Sequence, residues 1–416
     1  MTPPPVLGGD LGTYEERLAQ WFLEHTFFLD SVYRNQRGKG GKGELADAVV
    51  LHDDVVLMAQ VKAQSSSRPA QQWGRAAIEE ALRQLQYTNR MLFGDVVRDL
   101  VSATLGMVRF DPAVHNRRYG LILLAQDAVP YDPGALVPAL SELPFPVHVL
   151  SLADFAMLTE RFDTAADFVT YLDFRRDLFD VAHLPIHEEW TVLRQIAGRA
   201  GDVLRRWRPR ITDEVLSRSV AAFHRKASGE LSRSPEWRYS LAIDDIIARL
   251  HERDATLPWN QDADAHSVMR VAAELSWLTR DRRIEMGWRL LRMCEDAKDR
   301  NAHDFAHYLR ASRIAFHFVA TDAPRSERVQ YLQALTLITQ ARFNAAKVVG
   351  VATEPLGPGR SYDVLLRIGE VDEPTRELIL RTNPLSGDGA PHQRGPIPGA
   401  STGPSRSGGS HFDGAI

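Results

Sequence analysis

The chain has 416 residues, enough for two or three domains with cores of their own, and its 44% hydrophobic and 25% charged residues are ordinary for a globular protein. A net charge of −4 excludes a polycation, so any contact with nucleic acid has to come from a local basic patch. The single cysteine, Cys294, excludes a disulfide framework and a thiolate metal cluster, and makes a reducing, cytoplasmic setting the natural expectation.

Residues 1–12, MTPPPVLGGDLG, read as a flexible Pro/Gly-rich lead without the basic and apolar regions of a signal peptide. No run of about 18 apolar residues occurs, so no membrane contact is expected. From Tyr14 to about Phe28, Leu18, Trp21 and Phe22 recur at helical spacing. The loop RNQRGKGGKG follows, with Arg34, Arg37, Lys39 and Lys42. Its glycines let backbone amides approach phosphates, and each cation adds to counterion release, so these four are the candidate nucleic-acid contacts.

Two strands are expected at Leu45–Leu51 and Val55–Ala63, joined by a turn at His52-Asp53-Asp54. Trp73, Ala77, Ala81, Leu85 and Met91 mark a helix over 72–92. YGLILLA, residues 119–125, reads as a buried strand, FPVHVLSLADF as a strand running into a helix, and ADFVTYLDFRRDLF as a last helix. The order predicts an α/β domain over 13–180, a small mixed sheet flanked by helices.

Residues 185–345 carry broad apolar stripes at helical spacing and few prolines, which predicts a separate, mostly α-helical domain. Residues 346–383 hold two further strand patterns, KVVGVATEP and SYDVLLRIGEV, a short β hairpin. Residues 384–416 are Gly/Ser/Pro-rich and are expected to form a disordered tail.

The chemistry concentrates in the first hairpin. Side chains two apart in a strand share a face, so Gln60 and Lys62 point one way and Val61 the other. Pairing around the 52–54 turn sets Asp47 opposite residues near 59–60. A carboxylate, an amide oxygen and an ammonium then meet at one end of one face. That set suits metal-assisted phosphodiester hydrolysis: oxygen ligands for a hard cation, and a lysine for the water and the developing charge.

Asp47, a dozen residues, then Gln60-Val61-Lys62 resembles the PD-(D/E)XK superfamily, the restriction endonuclease-like nucleases. The pattern is closest to the Mrr-like branch, where QxK takes the place of ExK. It departs from the name at Ala46, which stands where the pattern has proline, and at Gln60, which leaves the site one negative charge short. The resemblance implies a Mg²⁺-dependent endonuclease acting on DNA, with Mn²⁺ as a substitute and a role in bacterial defence or restriction. Asp47, Gln60 and the Val61 carbonyl would hold the metal, and Lys62 would handle the water. An aromatic–Glu pair before an apolar helix face is similar to Tyr14-Glu15, which makes Glu15 the further acid at the metal. Glu16 competes for that role, and Glu44, three residues before Asp47, is a third candidate. The partners implied are nucleic acid, DNA ahead of RNA, and a protein docked on the helical domain; a dimer is compatible with the pattern.

Two other readings stand beside it. One is a catalytically inactive protein that keeps the nuclease fold for binding or scaffolding. The other follows DRNAHDFAHYL, where Arg300-Asn301 and His307 resemble the motif of the all-helical, metal-independent HEPN ribonucleases. Arg218 and His224 match a loose form of that spacing too, and Arg300, His303 and His307 as one plain helix face is the simpler account. HLPIHEEW lacks the second histidine of a helical zinc site and reads as a connector.

Overall fold

The computed structural model describes residues 11–28, 31–34, 45–64, 70–94, 99–102, 106–125, 143–178, 189–207, 212–251, 265–298, 302–310, 312–355 and 361–382. The expected tail, residues 1–10 of the lead and the connector residues His183 and His187 lie outside these residues; Leu11 and Gly12 belong to the first helix.

The N-terminal part runs α1 (Leu11–Phe27), β1 (Val32–Arg34), β2 (Ala48–His52), β3 (Val55–Lys62), α2 (Ala70–Phe93), β4 (Asp99–Ser102), β5 (Gly106–Arg109), β6 (Arg117–Leu124), β7 (Val147–Ser151), α3 (Leu152–Arg161) and α4 (Ala165–Leu178). Five strands form a mixed sheet in the order β1-β2-β3-β6-β7. β1, β2 and β3 are an antiparallel meander, while β6 and β7 run parallel to β3. The parallel step needs a long crossover, and α2 is part of it. β1 and the β4–β5 ribbon are additions to the elements expected from sequence.

Both faces of the sheet are covered, which is why β3 and β6 read as near-continuous apolar runs. Val55, Leu57, Ala59 and Val61 face α1, where Ala19, Leu23 and Phe27 meet them. Val56 and Met58 face α2, against Ile78, Ala81 and Leu85. Gly120 on β6 has no room for a side chain, since a Cβ would lie 2.9 Å from Val147 and 3.0 Å from Leu85. The two-residue turn of the β2–β3 hairpin holds Asp53 at φ 53°, a left-handed conformation that aspartate tolerates.

Next come α5 (Glu189–Trp207), α6 (Asp213–Ala227), the single-turn α7 (Glu230–Arg233), α8 (Trp237–His251), α9 (Ala265–Ser276) and α10 (Arg280–Ala297). α5 and α6 pack into the same core as the first sheet, through Val192, Ile196, Ala200, Val203 and Phe223. A buried bidentate pair fastens the junction: Arg175 on α4 donates to Glu189 on α5 at 2.8 and 3.0 Å.

The expectation of helix through residue 345 is corrected over 302–321. Two strands, β8 (Ala302–Leu309) and β9 (Ile314–Thr321), precede α11 (Arg325–Phe343). β10 (Lys347–Thr353) and β11 (Tyr362–Ile368) are not an isolated hairpin, because β10 also pairs with β9 in parallel. The result is a four-stranded sheet in the order β11-β10-β9-β8, followed by α12 (Glu373–Thr382). Helices α8–α10 cover one face through Ile243, Val271, Met286, Phe316, Phe318 and Val349. α11 covers the other through Leu332, Val319 and Ala352.

A buried polar cluster joins the two parts. Lys226 on α6 donates to Asp167 at the start of α4, at 2.8 Å, and pairs with Asp281 on α10. The Arg280 main-chain N–H also donates to Asp167, at 2.8 Å. The Arg280 guanidinium reaches Asp163 at 2.9 Å, Ser240 at 2.8 Å and Asp244 on α8. The β2–β3 turn is held by the same neighbourhood, with His52 Nε2 2.8 Å from Ser276 Oγ. Burial first, then the nearby His251 and Arg283, push the His52 imidazole down to about 3, so it is neutral at physiological pH.

Candidate functional site

The end of the β2–β3 hairpin opposite its turn is where the strands part. Ala48 pairs with Ala59 as the last rung. Continued by one residue, the register sets Asp47 opposite Gln60, as the alternation argument expects. One residue further it would pair Ala46 with Val61, but that rung is not made. Instead Asp47 Oδ2 accepts the Val61 main-chain N–H at 2.5 Å. The carboxylate stands in for the missing main-chain acceptor, in a charge-assisted hydrogen bond.

The ladder on the other side explains the direction of Val61. The Lys62 carbonyl accepts from Ala125 N at 2.9 Å on the β6 side. Successive residues of a strand turn their N–H and C=O groups to opposite edges, so the Val61 carbonyl faces the gap beside Asp47. Gln60, 2% exposed, donates through Nε2 to the Leu45 carbonyl at 3.4 Å, which leaves Oε1 as its acceptor atom. Lys62 lies on the same face as Gln60, its Nζ 3.3 Å from Glu80 Oε1 on α2.

Both covering helices grip this end. From α1, Gln20 Nε2 donates to the Asp47 carbonyl at 3.0 Å. From α2, Thr88 Oγ1 donates to the Leu45 carbonyl. Asp47 is therefore held by its main chain and by its side chain, and it is only 9% exposed.

Glu15 continues the buried row Ala19, Leu23 and Phe27 of α1 at a four-residue interval, and it is buried. It approaches from the face of Val61, opposite the face of Gln60 and Lys62. Glu16 is half-buried and lies one turn before Gln20. Arg34 ends β1 opposite Ala48 and is ion-paired with Glu24 of α1. Arg37, Lys39, Lys42 and Glu44 lie outside the described residues.

As a metal site, the set Asp47, Gln60 Oε1 and Val61 carbonyl is made of oxygen donors, which fits a hard divalent cation in kind. It carries one negative charge. Among the described residues, no group of three or more His, Cys, Asp or Glu side chains is arranged to hold a metal ion. Glu80 and Thr88 are the neighbours that sequence reasoning missed. The signal was present in the row Glu80, Gln84, Thr88, polar residues at four-residue spacing along the flank of an amphipathic helix.

The second motif falls in different surroundings from those expected. His303 and His307 lie on strand β8, not on a helix. His307 faces Glu285, Arg282 and Arg289 of α10, and its imidazole is pushed down to about 4 mainly by burial. Arg300 and the side chain of Arg218 lie outside the described residues, and His224 is exposed on α6. The helical setting of the ribonuclease resemblance is thus missing at His307.

No helix of the described residues is long and apolar enough to cross a membrane. Neither a family model, nor a curated protein, nor a solved structure matches the chain.

Proposed function

We propose that this chain is a divalent-metal-dependent nuclease of the restriction endonuclease-like fold, hydrolysing phosphodiester bonds of DNA. The observation that carries the reading is the place of Asp47, Gln60, Val61 and Lys62 at the one end of the hairpin where β2 and β3 part, with the Asp47 carboxylate on the Val61 N–H. The element order supports it: a helix, an antiparallel three-strand meander, a crossover helix, then a strand parallel to the third.

A bound Mg²⁺ or Mn²⁺ would supply Lewis-acid stabilisation of the phosphoryl oxygens and an acidified water. The chain's own residues divide the remaining work. Asp47 is fixed at both its carboxylate and its carbonyl, and Gln60 is buried with its Nε2 on the Leu45 carbonyl, so a ligand set built on them is pre-organised. Lys62, held at its tip only by the half-exposed Glu80, would donate to the attacking water or to a phosphoryl oxygen as charge grows there. A role in bacterial defence rests on family analogy.

The test is cleavage of plasmid DNA in Mg²⁺, Mn²⁺ or EDTA by the intact chain and by Lys62→Ala. Metal-dependent cleavage lost in the variant supports the reading, and equal cleavage in both refutes this site. A second reading, a nuclease fold that binds without cleaving, is favoured by one feature, the single negative charge among Asp47, Gln60 and Val61. It predicts metal-independent DNA binding that Lys62→Ala leaves unchanged. RNA serves as the parallel substrate in both assays.

A further inference from the structure

The charge deficit left by Gln60 has a candidate remedy on α2, and it rests on the nuclease reading above. We propose that Glu80 is the second carboxylate of the site, brought in by the crossover helix instead of by β3. Three observations point there. Glu80 Oε1 lies 3.3 Å from Lys62 Nζ, so its carboxylate already stands over the residue that follows Gln60 and Val61. The row that carries it is anchored at its far end, where Thr88 donates to the Leu45 carbonyl, the same oxygen that accepts from Gln60. The flank of α2 therefore runs from Lys62 to the Asp47 lead, directly beside the gap. Between these two anchors sits Gln84, whose Oε1 is buried without a hydrogen-bond partner among the described residues.

A buried amide oxygen without a donor costs free energy unless something fills the gap with a proton. A hydrated cation does that. Gln84 Oε1 would accept from its hydration water, and Glu80 and Asp47 would hold it with two negative charges. Lys62 pairs with Glu80, and the side chain of Glu80 is 54% exposed, so it would turn from the lysine to an ion at little cost. Lys62 is then released toward the phosphodiester.

The experiment is Mn²⁺ titration of the full chain by calorimetry, without DNA, on five proteins: wild type, Glu80→Gln, Lys62→Ala, Gln84→Leu, and the double variant Glu80→Gln/Gln60→Glu. The expected result is Mn²⁺ affinity about tenfold weaker in Glu80→Gln, because ligand charge sets divalent-cation affinity. Gln60→Glu should restore it in the double variant by returning the carboxylate to β3. Lys62→Ala should bind as tightly as wild type or more tightly, and Gln84→Leu should bind more weakly. If Glu80 merely steadies Lys62, its loss and the loss of Lys62 act alike and Gln60→Glu rescues nothing; that overturns the proposal. Wild-type affinity in Glu80→Gln overturns it too, and leaves the nuclease reading standing. A wild type that neither binds Mn²⁺ nor cleaves DNA overturns both.

Discussion

The buried lysine at the junction offers the sharpest stability test. Replacing Lys226 with methionine keeps the aliphatic stem and removes the charge from a site where Lys226 is 7% exposed and its partner Asp167 5% exposed. Asp167 keeps two donors, the Arg280 N–H at 2.8 Å and Thr164 Oγ1 at 2.9 Å. Breaking a buried pair costs about 3–5 kcal/mol when the other charge is left uncompensated, and the two surviving hydrogen bonds set the expectation at about 3 kcal/mol. The pH dependence fixes the mechanism. In the wild type, Lys226 and the hydrogen bonds hold the Asp167 carboxyl below its usual range despite burial. Its contribution is present above the unfolded-state value and lost as pH falls. In Lys226→Met burial dominates and the Asp167 carboxyl rises, so the variant is relieved by protonation. Equilibrium urea unfolding at pH 7 and pH 5 should show the gap between the two proteins narrowing at the lower pH. A loss below about 1 kcal/mol at pH 7, or a gap that widens toward pH 5, refutes the account.

Other outcomes follow from the same contacts. His52 is neutral when folded and takes up a proton when unfolded, so its contribution is full above the usual imidazole range and falls toward pH 3. Stability on the order of 4 kcal/mol should be lost between pH 7 and pH 3, and the unfolding midpoint of His52→Gln should depend less on pH over that range. Gly287→Ala places a Cβ 1.9 Å from the Tyr239 carbonyl, where α10 and α8 touch backbone to backbone. It should cost about 1–3 kcal/mol, read from thermal unfolding, whereas Gly198→Ala, which meets nothing within 4 Å, should be neutral or stabilising. Lys62→Ala breaks only a half-exposed pair, so it should change stability by about 0.5 kcal/mol or less while abolishing cleavage; a large loss of stability would place the lysine in the fold and not in the chemistry.

Much of the N-terminal part is legible from residue order because its signals are local. The two apolar strands, a turn between them and the face shared by Gln60 and Lys62 follow from alternation and turn chemistry, although the expected turn His52-Asp53-Asp54 narrows to Asp53-Asp54, with His52 paired to Val55, and the first strand begins at Ala48 and not at Leu45. Strands β8 and β9 are not legible in the same way. AHDFAHYL sets Ala302, Phe305, Ala306 and Leu309 at a spacing that serves a helix as well as a strand, and β8 is an edge strand with no fully buried residue to decide between them. β9, IAFHFVAT, is buried nearly throughout despite His317 and Thr321, and its parallel partner, β10, lies beyond a 19-residue helix, so its pairing has no local mark. The placement of α5 and α6 on the first sheet is also decided by packing, since their apolar stripes would serve any core.

The site divides along the same line. Residue order alone determines that an acid, an amide and a lysine fall at one end of a hairpin, because strand periodicity and a two-residue turn are properties of the local chain. Only tertiary structure decides that the strands part at that end, with the Asp47 carboxylate taking the place of a ladder acceptor. Only tertiary structure brings Glu80 to Lys62, since the angle at which α2 crosses the sheet is set by Ile78, Ala81 and Leu85 meeting Val56 and Met58. Contacts between elements distant along the chain are fixed by how their surfaces fit, and no repeat within either segment encodes that fit.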